Sequence, residues 1–359
     1  MGGGKMELSY QQKQIVETTA NKVVVVAAAA SGKTAVLVER VKFLLDQGID
    51  PKKIVLITFT NAAAEELAER LGHPKGLFIG TIHSYANYLL LSTGTDTADL
   101  IENEQFDRLF NRIKHNPECI RDVEHLLLDE SQDSNEAHFE FLLDMVKPQN
   151  YMIVGDWRQS IYRWNGAFPD YLLNLSKQWD VTTYDLDENY RNANSILTFA
   201  KNIIATAGYD YRDTSKPMRG ITGKVVSDIE YSPHAIAKTF SQMKDNFGEW
   251  FVIARTNEQV DEIARAMKAC GIPYDTFKRA ELDNKELNKK MKENTVKVLT
   301  IHASKGLEAN NVIVVGARFY NIEEKCVSYV AATRARNALY WTKAPNKKKS
   351  TYGMSNWEK

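Results

Sequence analysis

"VVVVAAAASGKTAVLVERV", residues 23–41, carries an apolar run into Ser31-Gly32-Lys33-Thr34. A strand runs into a loop here, and a helix begins at the lysine. Gly32-Lys33-Thr34 is the tail of the phosphate-binding pattern G-x-x-x-x-G-K-[ST]. A helix start offers free N–H groups and a positive dipole end to a phosphate. In that geometry Lys33 reaches the β- and γ-phosphates and the Thr34 hydroxyl binds Mg²⁺. The backbone of Ala29, Ala30, Ser31 and Gly32 makes the cradle. Ala27 to Ala30 stand where such loops are rich in glycine. If Ala30 needs a positive φ, its Cβ costs roughly 1–2 kcal/mol, a strain and not a prohibition. On its own the tripeptide does not separate a nucleotide loop from a chance Gly-Lys-Thr.

"LLLDESQD", residues 126–133, changes the balance. An apolar strand delivers Asp129 and Glu130 at its C-terminal end, where ligands bind in α/β folds. Asp129 suits Mg²⁺, and Glu130 suits a general base that takes a proton from attacking water. A solvated acidic turn accounts for the acids, but not for their place directly after three leucines.

Around these motifs, short apolar runs alternate with helix-like segments. Val23–Ala27, Ile54–Thr58, Leu77–Gly80, Leu126–Asp129 and Tyr151–Gly155 form one series. Lys224–Ile229, Trp250–Ala254, Val296–Thr300 and Asn311–Val315 form another. The pattern predicts buried parallel strands in two α/β lobes, with a boundary near Thr182–Asn189. Ser92–Val123 is polar and reads as a small helical insertion. Lys278–Glu293 is a dense mixed-charge run, read as a solvated helix or loop. Lys plus Arg and Asp plus Glu number 46 each, so any nucleic-acid site must be a local groove and not a bulk positive field. The three cysteines show no metal spacing and fit a reducing cytoplasm. No apolar segment is long enough to span a membrane.

"VGDWRQSIYRWNGA", residues 154–167, adds Gln159 as a polar sensor between the lobes. Tyr162 and Trp164 lie two apart, so an extended chain points both the same way, as base stacking requires. Two core aromatics are the plainer reading of the pair.

Taken in order, the motifs resemble those of a superfamily 1 DNA helicase of the UvrD/Rep/PcrA type. "LSYQQKQIV" is similar to the Q motif, with Gln12 on the adenine. "TFTNAAAEELAERL" resembles motif Ia, placing Phe59, Thr60 and Asn61 on the DNA track. "GTIHS" resembles motif Ib, with His83 and Ser84 on the DNA backbone. "LDENYRNANSI" resembles motif IV, where Tyr190 stacks on the base and Arg191 reaches the γ-phosphate. "VLTIHASKGLEANNVIV" resembles motif V. There Glu308 takes a ribose hydroxyl, while Thr300, His302 and Lys305 link the nucleotide and DNA sites. "YVAATRARNALY" resembles motif VI, with Arg334 as arginine finger.

The resemblance implies two RecA-like lobes of a P-loop NTPase. The first spans 1–84 and 125–185, and the second 186–277 and 295–359. Residues 85–124 and 278–294 then stand for reduced accessory domains. It also implies ATP and Mg²⁺ as cofactors and single-stranded DNA or a single/double-strand junction as partner. The expected protein is a monomer in the cytoplasm of a bacterial or phage-infected cell, moving 3′ to 5′, with an unidentified protein partner left open. Three positions depart from the family pattern. Ala35 replaces an arginine that packs on the adenine. Asn165, on the expected DNA track, replaces the arginine of motif III. Ala30 replaces a loop glycine. Ala30 and Asn165 keep a rival in view, a non-hydrolysing, ATP-gated module that binds DNA or a partner.

Overall fold

The computed structural model describes residues 7–208, 213–277 and 289–343. Strands β1 (Lys22–Ala27), β2 (Ile54–Thr58), β3 (Phe78–Thr81), β4 (His125–Leu128), β5 (Asn150–Gly155) and β6 (Thr182–Leu186) form one parallel sheet, ordered β3-β2-β4-β5-β1-β6. A short pair follows, β7 (Glu188–Asn189) with β8 (Lys216–Pro217). A second parallel sheet then joins β9 (Lys224–Ile229), β10 (Trp250–Ala254), β11 (Tyr274–Phe277), β12 (Val296–Thr300), β13 (Ala309–Val315) and β14 (Ala335–Thr342), in the order β11-β12-β10-β13-β14-β9. The chain is therefore α/β, with two parallel sheets flanked by helices. β2 and β12 are buried at every position, as expected of parallel strands covered on both faces.

Register decides where the chemistry sits. Val26 lies opposite Gly155 on one side and Asp185 on the other, while Leu128 lies opposite Ile153. The C-terminal ends of β1, β4 and β5 therefore share one edge. The loop after Ala27, the acidic turn after Leu128 and the segment after Gly155 all emerge there, where α/β sheets bind ligands.

Two expectations need correction. The boundary near Thr182–Asn189 cuts through β6, which pairs with β1 and completes the first sheet. Its sequence, "TTYDL", is half polar because β6 is an edge strand, so it does not read as a buried run. Residues 85–124 are largely helical, in Ile82–Ser92, Ala98–Glu102 and Arg108–His115, and pack into the first lobe. Tyr85, Leu89, Leu90, Leu100, Leu109, Phe110 and Ile113 are buried in the same core as Val24, Val55 and Leu126, and polar side chains cover only the outer faces. Finally, β11 and β14 were not read as strands. Of the run Lys278–Glu293, residues 278–288 lie outside the described residues, as do 344–359 of the second lobe and the opening Met-Gly-Gly-Gly-Lys. Among the described residues no helix is long and apolar enough to cross a membrane.

Candidate nucleotide site and nucleic-acid track

The helix Lys33–Asp46 starts at the predicted residue, with Gly32 as N-cap at φ 85°. A side chain at Gly32 would place a Cβ 2.7 Å from Nε2 of Gln12, and that same nitrogen donates to the Ser31 carbonyl at 3.1 Å. Both the positive φ and the close approach restrict this position to glycine. Ala30 has φ 55°, so the strain foreseen at the missing glycine is present. It is held from outside the loop. The Asn189 amide donates to the Ala29 carbonyl at 2.8 Å, and the Tyr190 N–H donates to the Ala30 carbonyl at 3.1 Å. Ala35 is buried in the first turn of the helix.

The acidic turn faces this loop. The Thr34 hydroxyl donates to Oδ2 of Asp129 at 3.5 Å, and Lys33 Nζ stands 3.9 Å from Oε1 of Glu130. Burial, then the charge on Glu130, pushes the Asp129 carboxyl up to about 7. Burial pushes Glu130 up too. The opposing pull of Lys33, then Lys305, outweighs it and leaves Glu130 ionised, brought down to about 2. A buried carboxyl that favours its neutral form beside an ionised neighbour is a site short of positive charge. The donors are hard oxygens from Thr34 and Asp129, so these residues fit Mg²⁺. Glu130 itself sits at φ 49°, a left-handed conformation at the residue read as the base.

Sequence reasoning missed what holds Glu130. The Gln132 amide donates to its Oε2, and Oε1 of Gln132 accepts from the Asp156 N–H at 2.9 Å. Gly155 makes room for this contact, since a Cβ there would lie 2.3 Å from Ser131 Oγ and 2.9 Å from Gln132 Oε1. Asp156 Oδ2 accepts from the Gln159 amide at 2.7 Å, and Gln159 Oε1 faces Arg334 Nη2 at 3.5 Å. One polar chain thus runs Lys33, Glu130, Gln132, Asp156, Gln159, Arg334, across both lobes. The signal for Gln132 lay in the quoted acidic turn, as the one uncharged amide between its carboxylates. Nothing in the sequence marked Asn189.

Arg334 is buried, at 2% exposure, and donates to the Val330 carbonyl at 2.9 Å and the Leu307 carbonyl at 3.2 Å. Burial, then Arg191, lowers its pKa to about 9. Arg191 pairs with Glu308, which also holds Arg336. Arg219 donates to the Arg191 carbonyl at 2.8 Å and fixes its backbone. Arg191, Arg334 and Glu308 are thus neighbours, as the motifs imply, although here Glu308 engages two arginines.

On the expected DNA track the outcome is mixed. Tyr162 and Trp164 do not point the same way. Arg163–Asn165 is a 3-10 turn, so the extended geometry behind that expectation does not form. Tyr162 is 9% exposed and stacks on Phe59, with centroids 5.2 Å apart, while Trp164 is 62% exposed. Lys305 Nζ lies 5.0 Å above the Tyr162 ring and also pairs with Asp133. His302 donates through Nε2 to the Ile161 carbonyl at 3.2 Å and joins the two lobes. Thr300 caps the next turn by accepting from the Ala303 N–H. Thr60 caps the helix Asn61–Leu71, and Ser84 forms a capping box with Thr81 at the start of the helix Ile82–Ser92. Tyr190 is half exposed, and its hydroxyl donates to Glu188. The Asn165 carbonyl accepts from the Asn135 amide at 3.4 Å.

Comparison with known proteins agrees with this arrangement. The UvrD/REP helicase N-terminal domain matches residues 8–114 and 107–180, and the UvrD-like helicase C-terminal domain matches 275–346. A probable DNA helicase of Mycoplasma pneumoniae is 23% identical over 93% of this chain and 82% of its own length. DNA helicase II of Haemophilus influenzae is 25% identical over 74% of this chain and 51% of its own. ATP-dependent DNA helicase PcrA of Staphylococcus epidermidis is 23% identical over 74% of this chain and 50% of its own. The chain spans about half the length of the last two relatives. With both helicase domains matched over more than half of its residues, and with a phosphate loop and an arginine pair meeting between two parallel sheets, the chain belongs to the UvrD-like helicase family.

Proposed function

We propose that the chain is an ATP-dependent single-stranded DNA translocase or helicase that moves 3′ to 5′. The observation that carries this reading is the unbroken polar chain from Lys33 to Arg334, which joins the phosphate loop of one lobe to the arginines of the other. ATP lies along the Ala29–Thr34 backbone, with Gln12 and Tyr190 at its base and Glu308 near the ribose. Thr34 and Asp129 hold Mg²⁺, which neutralises phosphate charge when bound.

Lys33 turns from Glu130 to the phosphates. Freed of that cation, Glu130 becomes more basic and accepts a proton from the attacking water. Arg191 leaves Glu308 for the γ-phosphate, and Arg334 stabilises charge on the transferring group. Because Gln159 and Asp156 tie Arg334 to the acidic turn, hydrolysis and lobe closure are linked. Closure and reopening then move a single strand past Trp164, Phe59, Thr60, Asn61, His83 and Ser84. The protein acts as a monomer in the cytoplasm.

The test is strand displacement and translocation on duplexes carrying either a 3′ or a 5′ single-stranded tail, with ATP. The expected result is ATP-dependent movement from the 3′ tail only. Movement from the 5′ tail, or none on either, contradicts the proposal. Movement without duplex separation leaves a translocase.

A further inference from the structure

Away from the nucleotide site, His83, Asp107 and His138 bring one ligand atom each into a group whose members all lie within 4.8 Å of one another. We propose that these three side chains bind a divalent transition-metal ion of the zinc class. The ion clamps the helix Ile82–Ser92 to the turn before the helix Arg108–His115 and to the short helix Glu136–Phe139 behind the acidic turn.

Two imidazoles and a carboxylate are a zinc-type donor set with room for water in the fourth position. Tetrahedral bonds of about 2.0–2.2 Å put neighbouring ligand atoms roughly 3.3–3.5 Å apart. His83 Nε2 and Asp107 Oδ1 are already 3.2 Å apart, so only His138 must close in, by a side-chain rotation.

Independent support comes from His138 itself. It is 3% exposed, and its Nε2 is buried without a hydrogen-bond partner. A buried polar atom left unpaired carries a desolvation cost that a metal bond removes. Packing alone does not explain the choice of histidine. The ring sits edge-on to Phe110 at 5.8 Å and to His83 at 5.1 Å, and its Nδ1 accepts from the Asn135 N–H at 3.3 Å in a capping box, which accounts for one ring nitrogen and leaves Nε2 unexplained.

Asp107 is the N-cap residue of Arg108–His115, but its carboxylate makes no capping bond and pairs instead with His83, so its oxygens already face the proposed site. His83 and Asp107 keep 31% and 74% side-chain exposure, so an ion can enter from solvent. Binding through Nε2 of His138 moves the ring proton to Nδ1. The long 3.3 Å contact from the Asn135 N–H is then given up, while Asn135 Oδ1 still caps the helix. A further mark of the location is the π-helical turn Glu140–Met145 directly after His138, a distortion found often at functional sites.

The proposed metal site shares His83 with the proposed DNA track, but its test does not read ATP turnover or DNA movement. The full chain is stripped with chelator and titrated with Zn²⁺ and with Co²⁺. Metal content per chain, the visible absorption of bound Co²⁺ and the melting temperature are followed. Expected are one ion per chain, a Co²⁺ spectrum of low-coordinate nitrogen/oxygen type, and a rise in melting temperature. Asp107→Asn, at an exposed position, should fold like the parent and bind at least about tenfold more weakly, the scale that even an outer partner of a ligand carries. His138→Gln should lose the Co²⁺ spectrum. No ion retained by the parent, or equal affinity in parent and Asp107→Asn, overturns the proposal.

Discussion

The nucleotide-facing edges of the two sheets hold their charges by different means. On the first, Lys33, Thr34, Asp129 and Glu130 emerge from the ends of buried strands or the start of a helix, with Lys33 3.9 Å from Glu130 and Thr34 3.5 Å from Asp129. On the second, Arg191 pairs with a carboxylate, Glu308, and also reaches the Thr333 carbonyl at 3.3 Å, whereas Arg334 donates to the backbone carbonyls of Val330 and Leu307. A carboxylate partner can be exchanged for phosphate with little change in geometry. Carbonyl bonds, one to Val330 four residues earlier and one to Leu307, aim the Arg334 side chain and persist. The difference assigns Arg191 to a mobile grip on nucleotide and Arg334 to a fixed post that the closing lobe carries inward.

The largest effect should come from that fixed post. Arg334→Ala is expected to lower ATP turnover by about 10³-fold or more, with nucleotide binding retained. A fall of less than tenfold would transfer the role to Arg191 and break the comparison. On the opposite edge, Glu130→Gln keeps shape and binding but removes the base. Turnover should drop by roughly 10²–10⁴-fold in a quenched-flow assay. Equal turnover in parent and variant excludes Glu130 as the base.

A smaller change is expected on the DNA track, where only one of two aromatics is exposed. Trp164→Ala should weaken single-strand binding by about 1–3 kcal/mol with little sequence preference. Tyr162→Ala should instead lower the melting temperature, since it removes a buried ring from Phe59. The reverse pattern by fluorescence anisotropy and thermal melting would exchange their roles.

Smaller still is the loop effect. Ala30→Gly relieves a φ of 55° and should tighten ATP binding or raise stability by up to about 1–2 kcal/mol. Calorimetry showing a loss in both would mean that Asn189 and Tyr190 already absorb the strain.

The least effect concerns pH. Burial, then the charge on Glu130, holds the Asp129 carboxyl in the folded protein well above its unfolded value of about 3.9, up to about 7. The folded state without nucleotide therefore binds the extra proton. That contribution to stability is complete below about pH 4 and is lost as pH rises through 7. Asp129→Asn fixes the neutral form, so it should raise the melting temperature of nucleotide-free protein at pH 8 and lose that gain toward pH 5. Destabilisation at pH 8 would show that Lys33 needs the ionised Asp129.

These two edges were not equally legible in the sequence. Asp129 and Glu130 follow a buried apolar strand directly, and Lys33 and Thr34 open the helix one short loop after another such strand, so period and position gave both their type and their place. Arg191, Glu308 and Arg334 carried no such local signal and rested on motif resemblance. The turn at Arg163–Asn165 was hidden because Tyr-x-Trp reads equally well as strand or turn, and only burial of Tyr162 against Phe59 decides it. Edge strand β6 was misread because polar residues dominate its local composition, while its partner strand β1 lies far along the chain. Asn189 acts through a contact with Ala29 far along the chain and left no pattern to read.

The central claim is that both edges form one hydrolytic site coupled to a single strand. ATP turnover by the unaltered chain, measured with and without single-stranded DNA at one salt concentration, tests it most directly. The account predicts Mg²⁺-dependent hydrolysis that rises when the strand is added. Nucleotide binding with no turnover under either condition would contradict it and leave a gated binding module in place of a motor.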